Sequence, residues 1–265
     1  MERIRKFNEK FRLFGEAAKL RGVSWPDNDA MHVCYHRCMS LLFEKFLIHC
    51  SEIFGTPLRI NGQSERANGP RAILLSNQGD GPVPTDPSVR GTHIIRDPRD
   101  LIASAYLYHL RTKEEWCCKP APANTDLPAD RSYQQHLRGL NQEDGLIYEL
   151  HHVSGAMIER MLSWDYSDPR FLELRFEEVV GNEVQTFEKV LSWYGVSSED
   201  AGNVARYLEF LAYRHIGKKQ GRDPSSASHI GGGSPIGRWK TIFSDRVLAA
   251  FDERFPNALP ALGYR

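Results

Sequence analysis

Residues 92–110, THIIRDPRDLIASAYLYHL, restrict the fold more than any other stretch of this chain. An apolar, β-type run from Thr92 to Ile95 ends on Arg96, and a helix is expected to start directly after it. Asp97 is a good N-cap type, and Pro98 suits the first helical position, where an N–H would have no intrahelical partner. Further strands are predicted at residues 31–36, 72–75 and 171–176. Helices are predicted at 39–50, from 98 to about 112, and at 142–162, 184–194, 198–213 and 244–254. Strands alternating with helices imply an α/β protein, a three-layer α/β/α arrangement with a mainly parallel central sheet.

The chain shows no internal repeat and no linker, so residues 1–265 are expected to form a single domain. Within it, residues 1–28 carry an amphipathic helix, with Ile4, Phe7, Phe11, Phe14 and Ala18 spaced three and four apart and expected to dock on the core. Residues 55–69 read as polar loop and residues 113–130 as a proline-rich excursion.

The same stretch carries chemistry. Arg96 ends the strand and Ser104 follows about two helical turns beyond it, so a guanidinium and a hydroxyl converge on one small anion. A positive helix end, a bidentate cation and a hydroxyl donor together suit a phosphate monoester. Lys+Arg and Asp+Glu both number 34, and this balance argues against a nucleic-acid partner, which would call for a basic surplus. Basic residues nevertheless cluster within 211–240 (Arg214, Lys218, Lys219, Arg222, Arg238 and Lys240, against Asp223), in a glycine-rich setting that suits a small polyanion.

The five cysteines form no CxxC pair, which speaks against a zinc ribbon or a disulfide framework. No apolar run approaches the roughly 20 residues of a membrane span. The chain therefore reads as a soluble, cytoplasmic protein with no integral membrane segment.

Arg96, Arg99, Asp100 and Ser104 stand at the spacing of the 3′-phosphate element in sulfotransferases that use 3′-phosphoadenosine 5′-phosphosulfate (PAPS), and the segment resembles that element. Upstream, Tyr35-His36-Arg37-Cys38-Met39-Ser40 resembles the family's 5′-phosphosulfate loop, a strand running into a tight turn and a helix. The match puts Arg37 at the cationic position and Ser40 at a hydroxyl position, with Cys38 and Met39 between them. Met39 replaces the usual glycine, and its Cβ restricts the close backbone approach that glycine would allow; the loop still works if φ there is negative.

Downstream, Leu174-Arg175-Phe176-Glu177-Glu178 resembles a strand whose aromatic, here Phe176, lies near adenine, with Phe210 as a second contact. Gly237-Arg238-Trp239-Lys240-x-x-Phe243 resembles the glycine-rich loop that closes over the nucleotide. The arginine that the family has just before this loop is missing, and its place reads Gly231-Gly232-Gly233.

The resemblance covers about residues 31–265. It implies a P-loop-like sulfotransferase fold and a PAPS-dependent enzyme that moves a sulfuryl group to a hydroxyl or amine on a small-molecule, lipid or carbohydrate acceptor. No metal is implied, because cationic side chains handle the charge. The alternative is a non-catalytic relative that binds nucleotide or a partner, suggested by the departures at Met39, Asn77 and Gly231. At the base position the strand reads Leu75-Ser76-Asn77, and an amide is not a base; the candidates are Asp80 and His36, the latter because it adjoins Arg37.

Overall fold

A computed structural model of the chain describes residues 20, 22–61, 71–79, 81–120, 127, 130–208 and 236–265. The predicted amphipathic helix near the N-terminus, Asp80, Phe210 and Gly231–Gly233 lie outside these residues.

In chain order the elements are β1 (Ala30–Val33), α1 (Ser40–Phe54), β2 (Leu58–Ile60), β3 (Ile73–Ser76), β4 (Arg90–Ile95) and α2 (Pro98–His109). Short helices α3 (Glu115–Cys118) and α4 (Tyr133–Gly139) follow, then α5 (Gln142–His151) and α6 (Val153–Ser163). After β5 (Phe171–Arg175) come α7 (Phe176–Val179), α8 (Glu183–Trp193) and α9, described over 198–208. The chain continues through α10 (Trp239–Ile242), α11 (Asp245–Arg254) and α12 (Ala258–Ala261).

The described residues divide into two compact units. One holds the five-stranded sheet, in the order β2-β3-β1-β4-β5. β1 runs parallel to both β3 and β4, with Ala30 opposite Ile73 on one side and Arg90 on the other, and β2 runs parallel to β3. The predicted parallel α/β sheet is therefore what forms. Helix α1 buries Phe43, Phe46, Leu47 and Cys50. Its Phe46 stacks on Phe187 of α8 at 4.3 Å, and Phe43 stacks on His32 of β1 at 3.9 Å.

The other unit holds Tyr35–Cys38, Ile95–Asp165 and the described C-terminal residues. Its core packs Ile102 and Tyr106 of α2 with Leu137, Leu146, Leu150 and Ile158, and with Val247 and Phe251 of α11.

The first strand ends at Val33 and not at residue 36, and three other boundaries differ from the sequence expectation. Residues 58–60 form a strand inside a segment read as loop, because pairing with β3 supplies hydrogen-bond partners that local composition does not announce. The helix expected over 142–162 is two helices, broken at His152 (φ −117°, ψ −105°). The break brings the Leu150 carbonyl against Gly155, where a Cβ would stand 2.3 Å from that oxygen. Phe176, expected at the end of a strand, is the buried first residue of α7.

Candidate functional site

Helix α2 begins as its sequence dictates. Asp97 caps it, accepting from the Arg99 backbone N–H at 2.9 Å, with Pro98 in the first turn. The same carboxylate takes Arg99 Nε at 3.0 Å and Nη2 at 2.7 Å, a bidentate pair with both side chains largely buried. Thus fixed, the Arg99 guanidinium lies 4.0 Å over the Trp239 ring. Asp100, next along, accepts the backbone N–H groups of Gly237 at 2.5 Å and Trp239 at 3.0 Å. Gly237 has φ +73°, a conformation that asks for glycine. Two motifs far apart in sequence are thus joined, and the turn before α10 is shaped by a carboxylate on α2. Arg238 is half-buried within that turn.

The Tyr35–Cys38 segment joins the same unit. Arg37 Nε donates to Ser104 Oγ at 3.1 Å, and its guanidinium lies 4.3 Å over the Tyr108 ring. Arg96, buried at the end of β4, donates from Nη1 to the Arg37 carbonyl at 3.0 Å. Burial, and after it the Arg96 charge, lowers the Arg37 pKa to about 10, so the group remains a cation at neutral pH. Because Ser104 accepts from Arg37, its own hydroxyl hydrogen is left to donate elsewhere. Arg37, Arg96 and Ser104, three of the residues singled out in the sequence, stand together as two guanidinium groups and a hydroxyl.

Met39 has φ +59°, not a negative value, and Arg37 has φ +67°. Each non-glycine residue in this region costs about 1–2 kcal/mol. Cys38 between them is buried and donates its N–H to the Tyr35 carbonyl at 3.0 Å. Met39 provides no side-chain cap for α1 but accepts backbone N–H groups from Leu42 and Phe43, and Ser40 is the first residue of that helix.

No family model and no curated protein matches the chain. Solved structures do. The mouse sulfotransferase SULT7A1 complexed with PAP is 15% identical, with a TM-score of 0.54, and the match covers 92% of this chain and 89% of that one. Retinol dehydratase in complex with androsterone and inactive cofactor PAP is 12% identical, with a TM-score of 0.48 over 93% of this chain and 85% of that one.

The chain has the sulfotransferase fold. Within that fold, His36 stands one residue before Arg37, and its Nε2 lies 3.1 Å from His109 Nε2. His109 Nδ1 lies 2.8 Å from Glu149 Oε2, and both residues are fully buried. Burial, then the charges of His109 and Arg37, lower the His36 pKa to about 3, with Glu149 and Glu114 opposing.

Sequence reading did not find Tyr108, His109 or Glu149. Their separations from His36 carry no periodic signal, and only polar types on a helix face that packs inward could have marked them. Asn77, at the position where the resemblance places a base, receives a contact from Cys34 Sγ at 3.7 Å to its Oδ1. Phe176 is placed by β5 in the sheet-bearing unit. Among the described residues no group of three His, Cys, Asp or Glu is arranged to hold a metal, and no helix is long and apolar enough to cross a membrane.

Proposed function

We propose that this protein is a PAPS-dependent sulfotransferase that moves a sulfuryl group to a hydroxyl or amine on a small-molecule, lipid or carbohydrate acceptor. The observation that carries the reading is the convergence of Arg37, Arg96 and Ser104, with Arg37 on Ser104 at 3.1 Å and Arg96 on the Arg37 carbonyl at 3.0 Å, in a chain of sulfotransferase fold. A nucleotide phosphorylated at both ends, such as the PAP bound by the mouse sulfotransferase, suits such a set of cations and donors.

On this reading Arg96 and Ser104 hold the 3′-phosphate. Cys38, Met39 and Ser40 bring backbone N–H groups to the phosphosulfate. Arg37 neutralises the charge that develops on the departing bisphosphate, a task for a fixed cation. Phe176 serves the adenine, and Gly237, Arg238 and Trp239 cover the nucleotide. The reaction requires no metal, since the guanidinium groups meet its charge. Residues 1–265 act as one domain of a cytoplasmic protein that takes no nucleic-acid partner, and Asp80 or His36 serves as the base.

A second reading, a nucleotide-binding protein without turnover, is favoured by one observation: a methionine Cβ at φ +59° stands where the resemblance has glycine. Isothermal calorimetry with adenosine 3′,5′-bisphosphate against ATP tests the site. Micromolar binding of the bisphosphate, lost in Arg96→Ala, is expected; preference for ATP with Mg²⁺ or no binding at all would overturn the nucleotide assignment. Sulfuryl transfer by the wild type then decides between enzyme and binding protein.

A further inference from the structure

Next to Arg37 lies a chain of three polar groups that anion binding does not use. The rings of His36 and His109 are parallel within 6°, with centroids 5.1 Å apart and the two Nε2 atoms 3.1 Å apart. That separation is too long for face-to-face stacking and fits two rings meeting edge to edge in one plane, the alignment a proton transfer needs. His109 is clamped by Trp116 and Tyr133, both edge-on to its ring, and its Nδ1 faces Glu149.

Glu149 is fully buried and fully engaged, taking Tyr133 Oη at 2.9 Å and Ser154 Oγ at 2.7 Å besides His109. Burial alone would raise its pKa, but His109 and the hydroxyl donors outweigh burial and hold it below the usual carboxylate range. An ionised Glu149 fixes the tautomers. In the neutral ring of His109, Nδ1 carries hydrogen toward the carboxylate, so its Nε2 accepts, and His36 Nε2 is the donor. The lone pair of His36 is then on Nδ1, which makes no hydrogen bond among the described residues, on a ring that keeps partial exposure.

We propose that His36, His109 and Glu149 form a proton relay beside Arg37, in which His36 takes the acceptor's proton and His109 stores it against the buried carboxylate. The acceptor's identity rests on the sulfotransferase reading; the relay's geometry does not. As the acceptor oxygen bonds to sulfur and the sulfur–bridging-oxygen bond breaks, the acceptor O–H proton bonds to His36 Nδ1. The Nε2–H bond of His36 breaks as that proton passes to His109 Nε2. His36 ends neutral, and the positive charge rests on the His109 ring facing Glu149. After product leaves, the proton returns to His36 Nε2, and the Nδ1 proton is released to water.

His36 alone is a poor store, because burial, His109 and Arg37 all disfavour its charged form. The groups that face it are Tyr108 and His109 of α2, Glu149 of α5, Glu114 before α3, and Arg37 in its own turn. Glu114 is occupied, accepting Tyr108 Oη at 2.6 Å and Trp116 Nε1 at 2.7 Å. The relay moves the charge from beside a guanidinium to beside a carboxylate.

Nitrogen-15 spectra of the histidines in the intact wild-type protein at neutral pH are the first test. Hydrogen on His36 Nε2 and on His109 Nδ1 is expected; hydrogen on His36 Nδ1 would overturn the relay, since the remaining lone pair on Nε2 would be turned to His109 and none would be left to take the acceptor's proton. Kinetics supply the second test. His36→Gln is expected to lower turnover about 10²–10⁴-fold with bisphosphate affinity unchanged. Glu149→Gln is expected to lower kcat at constant KM and to move the acid limb of the pH–rate profile downward, because the stored charge loses its partner. A purely structural Glu149 would lower activity without moving that limb. Retention of turnover within about threefold in His36→Gln, or an unmoved limb in a folded Glu149→Gln, would also overturn the relay. If the wild type neither binds bisphosphate nor transfers sulfuryl groups, the nucleotide reading fails separately, and the spectra still decide the relay.

Discussion

The start of α2 and the turn before α1 each carry an arginine of the candidate site, and they are built in opposite ways. At Asp97–Asp100 the local residues meet their own needs. The cap accepts from the Arg99 backbone N–H, proline occupies the first turn, and the remaining carboxylate organises residues 237–239. At Arg37–Met39 two non-glycine residues have positive φ, and α1 starts without a side-chain cap. What holds that turn comes from elsewhere in sequence: the Arg96 guanidinium on the Arg37 carbonyl, and Ser104 and Tyr108 against the Arg37 side chain. A local device tolerates loss of distant partners; a turn held by distant partners does not tolerate theirs.

The largest expected effect falls on the turn. Arg37→Ala should slow sulfuryl transfer about 10²–10³-fold, or about 2.7–4 kcal/mol of barrier, while bisphosphate still binds. Kinetics paired with calorimetry would measure it, and a mutant that loses binding as well would make Arg37 a binding group instead.

Asp97→Ala attacks the self-sufficient element. It removes the cap and leaves the Arg99 guanidinium without its carboxylate, at a cost of about 3 kcal/mol in urea unfolding. A loss near zero would mean that α2 needs no cap and the contrast with the turn is false.

The strand that leads into the turn supplies a pH test. Burial, followed by the nearby His93, lowers the His32 pKa from 6.5 to about 3, and its Nδ1 pairs with Thr92 Oγ1 at 2.8 Å. The unfolded chain binds this proton as pH falls below 6.5, whereas the folded chain does not until about 3. Stability from His32 is therefore complete above the upper value and is lost through that window, by about 2 kcal/mol at pH 5. Urea melts at pH 7 and pH 5 should show the loss in wild type and a smaller one in His32→Asn.

The smallest effect is expected at Met39. Met39→Gly should stabilise the protein by about 1 kcal/mol, the relief of a left-handed methionine less the added freedom of glycine in the unfolded chain. Thermal unfolding would read the gain. A loss would mean that the Met39 side chain holds the turn by packing.

What could be read beforehand follows the same division. The start of α2, the parallel strands and the separate Arg96 and Trp239 motifs are written in neighbouring residues: a cap and a proline, a β-branched run, a glycine before a tryptophan. The strand at 58–60 depends on an edge of β3, and the break at His152 on a carbonyl approaching Gly155, so neither has a local signature. The positive φ of Met39 is opposite to what its side chain prefers, and reading it needs the Arg96 contact. The His36–His109–Glu149 chain joins three elements through partners 73 and 40 residues apart. No periodicity connects such residues; only the packing of α2 against α5 does.

Glu149 accepts from α2, from Tyr133 on α4 and from Ser154 beyond the helix break, so one carboxylate fastens four helices. Its proton occupancy is consequently also a mechanical variable. Adding a proton there withdraws an acceptor from the joint between α5 and α6, and deuterium uptake by the amides of 150–156 should quicken with the same midpoint. The interior of this protein thus carries a strain gauge whose reading is its own charge.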